Sequence, residues 1–177
     1  MILRILNLSN PLRALAIAGA LAVTGATGAG AEGTERLGQD NDWAAYAAEN
    51  DGGKTCYTLS TPKDMAPKNV NRDPVYFFVT FRPKDKIRNQ VSVIIGYPFK
   101  EGSTASVEIG ASKFTLFTDD NKAWIDDVAE QDKLVAAMKA GATMTVSGTS
   151  HRGTNTSDKY SLSGISASLG RIAKACP

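Results

Sequence analysis

Residues 104–117 read "TASVEIGASKFTLF". Ala105, Val107 and Ile109 alternate with Ser106 and Glu108, and Phe114 and Leu116 repeat the same spacing. Successive side chains of a strand point to opposite faces. A period of two therefore puts the apolar set on a buried face and the polar set toward water. The signature continues upstream, where "QVSVIIGY" (90–97) places Val91, Val93 and Ile95 on one face. "VYFFVTF" (75–81) is β-branched or aromatic throughout, which predicts a central strand covered on both faces. "TCYTLS" (55–60) is a further short strand. Downstream, "KAWI" (122–125) is too short to judge alone. "TMTVSG" pairs Met144 with Val146, "KYSLSG" pairs Tyr160 with Leu162, and "TSHRGTNTSD" between them reads as a hairpin tip. Strands punctuated by such turns predict an all-β domain, an antiparallel sandwich or barrel.

Other stretches are less regular. "WAAYAAEN" (43–50) is ambiguous: its alanines favour helix, while Trp43 and the turn-like "NDGGK" suit a first strand. "STPKDMAPKNVNRDP" (60–74) holds three prolines and reads as a loop, and "RPKDKIRN" (82–89) as a polar connection. Two short helices interrupt the strands. In "DDVAEQDKLVAAMKAG", Asp127 and Glu130 have capping spacing, Leu134, Val135 and Met138 share a face, and Gly141 is a stop. At the C-terminus, Ile165, Leu169, Ile172 and Cys176 recur at helical spacing, which lays the last thiol on an apolar face. Gly170 weakens this helix by about 1 kcal/mol relative to alanine.

The N-terminus is of a different character. Arg4 and Arg13 precede an apolar run at 14–23, and Ala29-Gly30-Ala31 follows as a small-x-small cleavage site. This reads as a secretory signal peptide over residues 1–31. The run is shorter than the ~20 apolar residues that a membrane anchor needs, so no transmembrane span is expected after cleavage. Residues 32–42, "EGTERLGQDND", are expected to be a flexible lead-in, and 43–177 a single domain. Removing 31 of 177 residues takes two of the 20 basic residues and none of the 18 acidic ones. The mature chain is formally neutral, which gives no argument for nucleic-acid binding. Two cysteines in an exported chain allow one intramolecular bond, Cys56–Cys176, the alternative being two free thiols. Closing that loop of 120 residues (176 less 56) would contribute about 4–5 kcal/mol.

Chemistry-bearing motifs are scarce. His151 is the one histidine, beside Ser150 and Ser157 and ahead of Asp158. These crowd one turn rather than converging from separate elements, and no Gly-x-Ser-x-Gly elbow exists. One His and two distant Cys fit no zinc pattern. The six acids of 118–132 miss the calcium-loop register, because Ala123 falls where a third ligand is needed. No catalytic residue, metal or cofactor is therefore expected. Arg82, Lys84, Lys86, Arg88 and Lys100 oppose only Asp85. Together with His151 and Arg152, the 82–88 cations are the candidate interaction surface, for an envelope or host-surface protein, glycan or lipid. Tyr97 and Phe99, near a turn, are either a contact patch or core.

The segments "CYTLSTPKD", "VSVIIGYPFKEGSTASVEIGASKFTLFTDDNKAWI" and "AAMKAGATMTVSGTSHRGTNTSDKYSLSGISASLGRIAKAC", in this order and spacing, resemble the invasion-associated locus B family. The likeness spans roughly residues 40–177. It implies an exported bacterial protein with one β-rich domain, periplasmic or envelope-associated and possibly secreted. It implies no catalytic residues, and both cysteines match positions that the family uses. The expected function is a non-catalytic binding or interaction module. A host-directed invasion factor and an atypical hydrolase are the alternatives. Protein recovered from the envelope should weigh 31 residues less than the full chain, with both thiols unreactive until reduced; intact-mass spectrometry with and without reductant checks both.

Overall fold

The computed structural model describes residues 33–50 and 52–177. The expected leader at 1–31 lies outside the described residues. Along the chain come β1 (Thr34–Asp40), β2 (Trp43–Asn50), β3 (Gly53–Ser60), β4 (Asp64–Ala66), β5 (Tyr76–Arg82) and β6 (Ile87–Ile94). Then follow β7 (Thr104–Ile109), β8 (Ser112–Asp119), β9 (Lys122–Trp124), α1 (Val128–Ala140), β10 (Thr143–Thr149), β11 (Asn155–Ser161) and α2 (Ile165–Ala175). The strands form one antiparallel sheet in the order β1-β2-β3-β5-β6-β9-β8-β7-β10-β11-β4. The all-β expectation holds, with two helices, one of them C-terminal.

One continuous sheet provides both layers of the body. Register fixes its inner face: Ala47, Cys56 and Phe81 align across β2, β3 and β5, and Phe77, Val93 and Ala123 across β5, β6 and β9. On the other half, Leu116 and Phe114 lie beside Ala105 and Val107, and Val107 beside Val146. The halves meet inside. The Trp43 indole donates to the Ser161 carbonyl at 3.0 Å, and the Phe77 ring meets Tyr160 edge-on at 5.9 Å. Trp43, Phe77, Val91, Val93, Val107, Leu116, Val146 and Tyr160 are all fully buried.

The helices cover what the sheet leaves open. Asp127 caps α1, accepting from the Glu130 amide at 2.9 Å, and Leu134, Val135 and Met138 face inward, as their spacing predicts. α2 lies against β1, β2, β3 and β5 with Ile165, Leu169 and Ile172 buried. Its start demands glycine: Gly164 has φ +94°, and an added Cβ would sit 1.8 Å from the Asp40 carbonyl oxygen. Ser168 and Thr58 share a buried 2.6 Å hydrogen bond under the helix. At the far end Cys176 is bonded to Cys56, with Cα atoms 6.0 Å apart and both residues fully buried.

Several expectations need correction. The lead-in expected at 32–42 contains β1, which pairs with β2 and is tied to α2 by a bidentate Arg171–Asp40 contact at 2.7 and 3.0 Å. An exposed edge strand has no buried face to impose alternation, so its sequence looks like linker. "WAAYAAEN" is strand β2, because Ala45 and Ala47 let α2 approach closely; tertiary packing overrides alanine's helical preference. The proline-rich loop contains the short edge strand β4, paired to β11. β6 begins at Ile87, inside the expected polar connection, after a 3-10 turn at Pro83–Asp85. β5 is not covered on both faces: Phe77, Val79 and Phe81 are buried, while Tyr76, Phe78 and Thr80 stay partly exposed.

Breaking the Cys56–Cys176 bond, by reduction or by Cys176→Ser, should lower unfolding free energy by about 4–5 kcal/mol. Urea titration measures the loss, and hydrogen exchange should show α2 amides loosening before those of β5.

Candidate functional site

Three segments that are remote in sequence meet at one end of the sheet. They are the 69–73 loop, the 96–98 turn after β6, and the β10–β11 hairpin tip at 150–156. Backbone contacts fix them. The Asp73 amide donates to the Gly96 carbonyl at 3.0 Å, and the His151 amide to the Pro98 carbonyl at 2.9 Å. Gly96 has φ +79°, and an added Cβ would lie 2.2 Å from the Asp73 carbonyl oxygen, so only glycine permits this approach. The tip closes on itself. The Ser150 amide donates to the Thr154 carbonyl at 2.9 Å, and the Thr154 amide donates to Ser150 Oγ at 3.2 Å. Between the segments lies a cleft of about 610 Å³, within the range of ligand-sized concavities.

Arg72, on the floor of the cleft, belongs to an internal ion pair. Arg72 donates two hydrogen bonds of 2.6 Å to the two carboxylate oxygens of Asp158. The side chains are 4% and 0% exposed. The guanidinium also donates to the Ile95 carbonyl at 2.7 and 3.2 Å and lies 5.0 Å from the Tyr97 ring centre. The Tyr97 hydroxyl meets Thr156 Oγ1 at 2.5 Å. Burial works against the Arg72 charge, but the hydrogen bonds and attraction of Asp158 outweigh it and raise the pKa above its ordinary value. Burial also raises the Tyr97 phenol, against the opposing pulls of Thr156 and Arg72. The one floor cation, Arg72, is thus satisfied within the protein by the carboxylate buried beneath it.

The rim is exposed and polar, with Asn69, Asn71, Asp73, His151 and Arg152 around the opening. The His151 ring comes only to 3.4 Å from the Pro98 carbonyl. Asp158, the acid nearest it in sequence, turns inward to Arg72, and Ser150 Oγ accepts from Thr154. Serine, histidine and aspartate therefore point to three different partners, and no relay links them. Among the described residues no cluster of three or more His, Cys, Asp or Glu could hold a metal ion.

The structure divides the sequence-chosen surface. His151 and Arg152 line the cleft. The 82–88 cations do not join them. Arg82 is paired with Asp85 at 3.1 Å, Lys84 is exposed beside Gly53, and the Arg88 guanidinium lies 5.2 Å from the Phe81 ring centre. Lys86 and Arg88 flank a smaller depression beside Cys176. Tyr97 and Phe99 pack into the core rather than forming an exposed patch. Sequence reasoning missed Arg72, because nothing in a proline-flanked loop shows which residue turns inward. Asp158 did carry a signal: it occupies an inward position between Thr156 and Tyr160 on an alternating strand, where a lone acid requires a buried cation.

These features define a disulfide-stapled, single-sheet β domain with a preformed polar cleft. The chain belongs to the invasion associated locus B (IalB) protein family, whose model matches residues 43–173. Among solved structures, it resembles invasion associated protein B from Bartonella henselae, at 14% identity and a TM-score of 0.50, over 80% of this chain and 96% of that one. At that identity the likeness concerns the fold alone. No curated protein matches the sequence significantly. Family membership and the Cys56–Cys176 bond together point to a location outside the cytoplasm. No helix among the described residues is long and apolar enough to cross a membrane.

Arg72→Ala strands the Asp158 carboxylate in the interior and should cost about 3–5 kcal/mol. The double variant Arg72→Met with Asp158→Leu should recover most of that loss. Urea unfolding of both variants measures the difference.

Proposed function

We propose that this protein is a non-catalytic binding module of the bacterial envelope, working in the periplasm after removal of its leader, and that the cleft is its contact site. The observation that carries this reading is the division of labour within the cleft. Arg72, on the floor, is neutralised by Asp158 buried beneath it, so neither is free to transfer a proton or attack a substrate. His151, Arg152, Asn69 and Asn71 stand exposed on the rim, offering imidazole, guanidinium and amide groups to a polar partner. A rigid floor beneath an exposed rim favours recognition over turnover. The family is not a known enzyme family, which supports the same reading.

The partner classes that fit are an envelope or host-surface protein, a glycan or a lipid headgroup. The 82–88 cations supply a second surface suited to an acidic partner. The word invasion in the name of the Bartonella protein belongs to that protein. A host-directed role for this chain rests on family likeness alone.

A photo-crosslinking amino acid at Arg152 should yield discrete adducts in living cells, while the same group at Lys139 on α1 should yield none. His151→Ala should deplete those adducts without changing the melting temperature. Identical adduct patterns from both positions would sink the cleft as the contact site.

A further inference from the structure

A second surface lies away from the cleft, on the outer face of β2, β3, β5, β6, β9 and β8. Register brings its side chains into rows. Leu59, Phe78, Ser92, Trp124 and Phe117 align across five strands. Tyr46, Tyr57, Thr80 and Gln90 form the row beside it, and Tyr76, Ile94 and Lys122 the row on the other side. Tyr46 stacks on Tyr57 at 5.3 Å, while Phe78 contacts both Tyr57 at 6.0 Å and Tyr76 at 5.9 Å. These rings lie on the solvent side, all partly exposed, and Phe117 is 56% exposed. Partly exposed aromatics grouped to this extent mark a contact surface rather than scatter.

The patch is grooved. Phe78 and Trp124 stand two strands apart, about 10 Å, with the short Ser92 side chain between them as floor. The groove has a volume of about 530 Å³, lined by Tyr57, Phe78, Thr80, Gln90, Ser92 and Trp124 among others. Arg82 and Lys122 also line it, and no Asp or Glu does. Among the described residues Lys122 has no ion-pair partner, although Asp119 faces it across the hairpin.

We propose that this groove binds an acidic oligosaccharide. A pyranose ring has flat C–H faces and a hydroxyl-bearing edge. Flat aromatic walls suit the faces, and the Ser92 and Thr80 hydroxyls and the Gln90 amide suit the edge. Lys122, without an ion-pair partner among the described residues, selects carboxylate-bearing sugars over neutral ones, while Arg82 is already held by Asp85. A second copy of the chain would bring Lys122 against itself or against the neighbouring Arg82. The charge therefore favours an anionic guest over self-pairing. This site is separate from the cleft and stands or falls independently of it.

The test uses disulfide-intact protein, alginate oligomers as the uronate probe and cello-oligosaccharides as the neutral one. Trp124 reports directly, because the other tryptophan, Trp43, is fully buried. Alginate oligomers should shift Trp124 fluorescence saturably and release heat in calorimetry, with affinity falling as salt rises. Lys122→Gln should weaken binding about tenfold, the usual scale for one charge-assisted contact. Ser92→Leu fills the floor and should abolish binding, with the melting curve checking its fold. Arg152→Ala, in the cleft, should leave alginate binding unchanged. The proposal is overturned by no saturable response to alginate, by equal affinity for the neutral probe, or by undiminished binding in folded Ser92→Leu. It is also overturned by concentration-dependent dimerisation that Ser92→Leu alone removes.

Discussion

A sheet has two faces, and in this protein burial claims only one of them. Among the described residues the eleven strands form a single antiparallel sheet, so its inner face has no second sheet to hide against. They hide it against each other. Trp43 and Phe77 from one half reach Tyr160 and the end of β11 in the other, and the strand register is locked by that meeting. A slip of one residue would exchange the buried and exposed sets along a whole strand. The helices follow from the same constraint, since α1 and α2 cover inner apolar surface that the curled sheet leaves open. The sulfur bridge holds α2 against β3, and that helix needs it, with a glycine in its middle and only eleven residues.

The outer face follows a different logic. Freed from the core, it keeps aromatic rings that burial does not require, together with hydroxyl and amide groups between them. The cleft is different again. There the molecule buries charge, and it can do so only because Arg72 and Asp158 arrive together in bidentate geometry with the Ile95 carbonyl completing the guanidinium's bonds. That pair ties the 69–73 loop to β11 and so sets the shape of a rim whose own residues are unconstrained by packing. Two concave surfaces of opposite character, one polar and one aromatic, thus sit on one scaffold. Neither contains a linked acid, base and nucleophile.

The match over residues 43–173 spans β2 to α2, so it covers the inner-face strands, the cleft and the aromatic face alike. What varies between relatives on such a scaffold is expected to lie in rim and outer-face residues, because the inner face is held by packing and the loops are not.

The sequence by itself determined the strands with a clean period of two, the capped helix α1, and the helical stripe that carries Cys176 inward. Each of these is local: the spacing of apolar residues along a few turns or pleats dictates which side is buried. Two cysteines and a leader-like N-terminus also made the bond between residues 56 and 176 readable as one of two states. Edge strands β1 and β4 were hidden, because a strand with no buried face has no alternation to show. β5 misled for the converse reason, being apolar on both faces while only one is covered. Tertiary structure alone decided the sites. Arg72 and Asp158 are 86 residues apart, and the rows of Phe78, Ser92 and Trp124 exist only through pairing of β5, β6 and β9. Periodicity says which way a side chain faces along its own strand. Which strands stand beside it is set by the pairing order of the whole sheet.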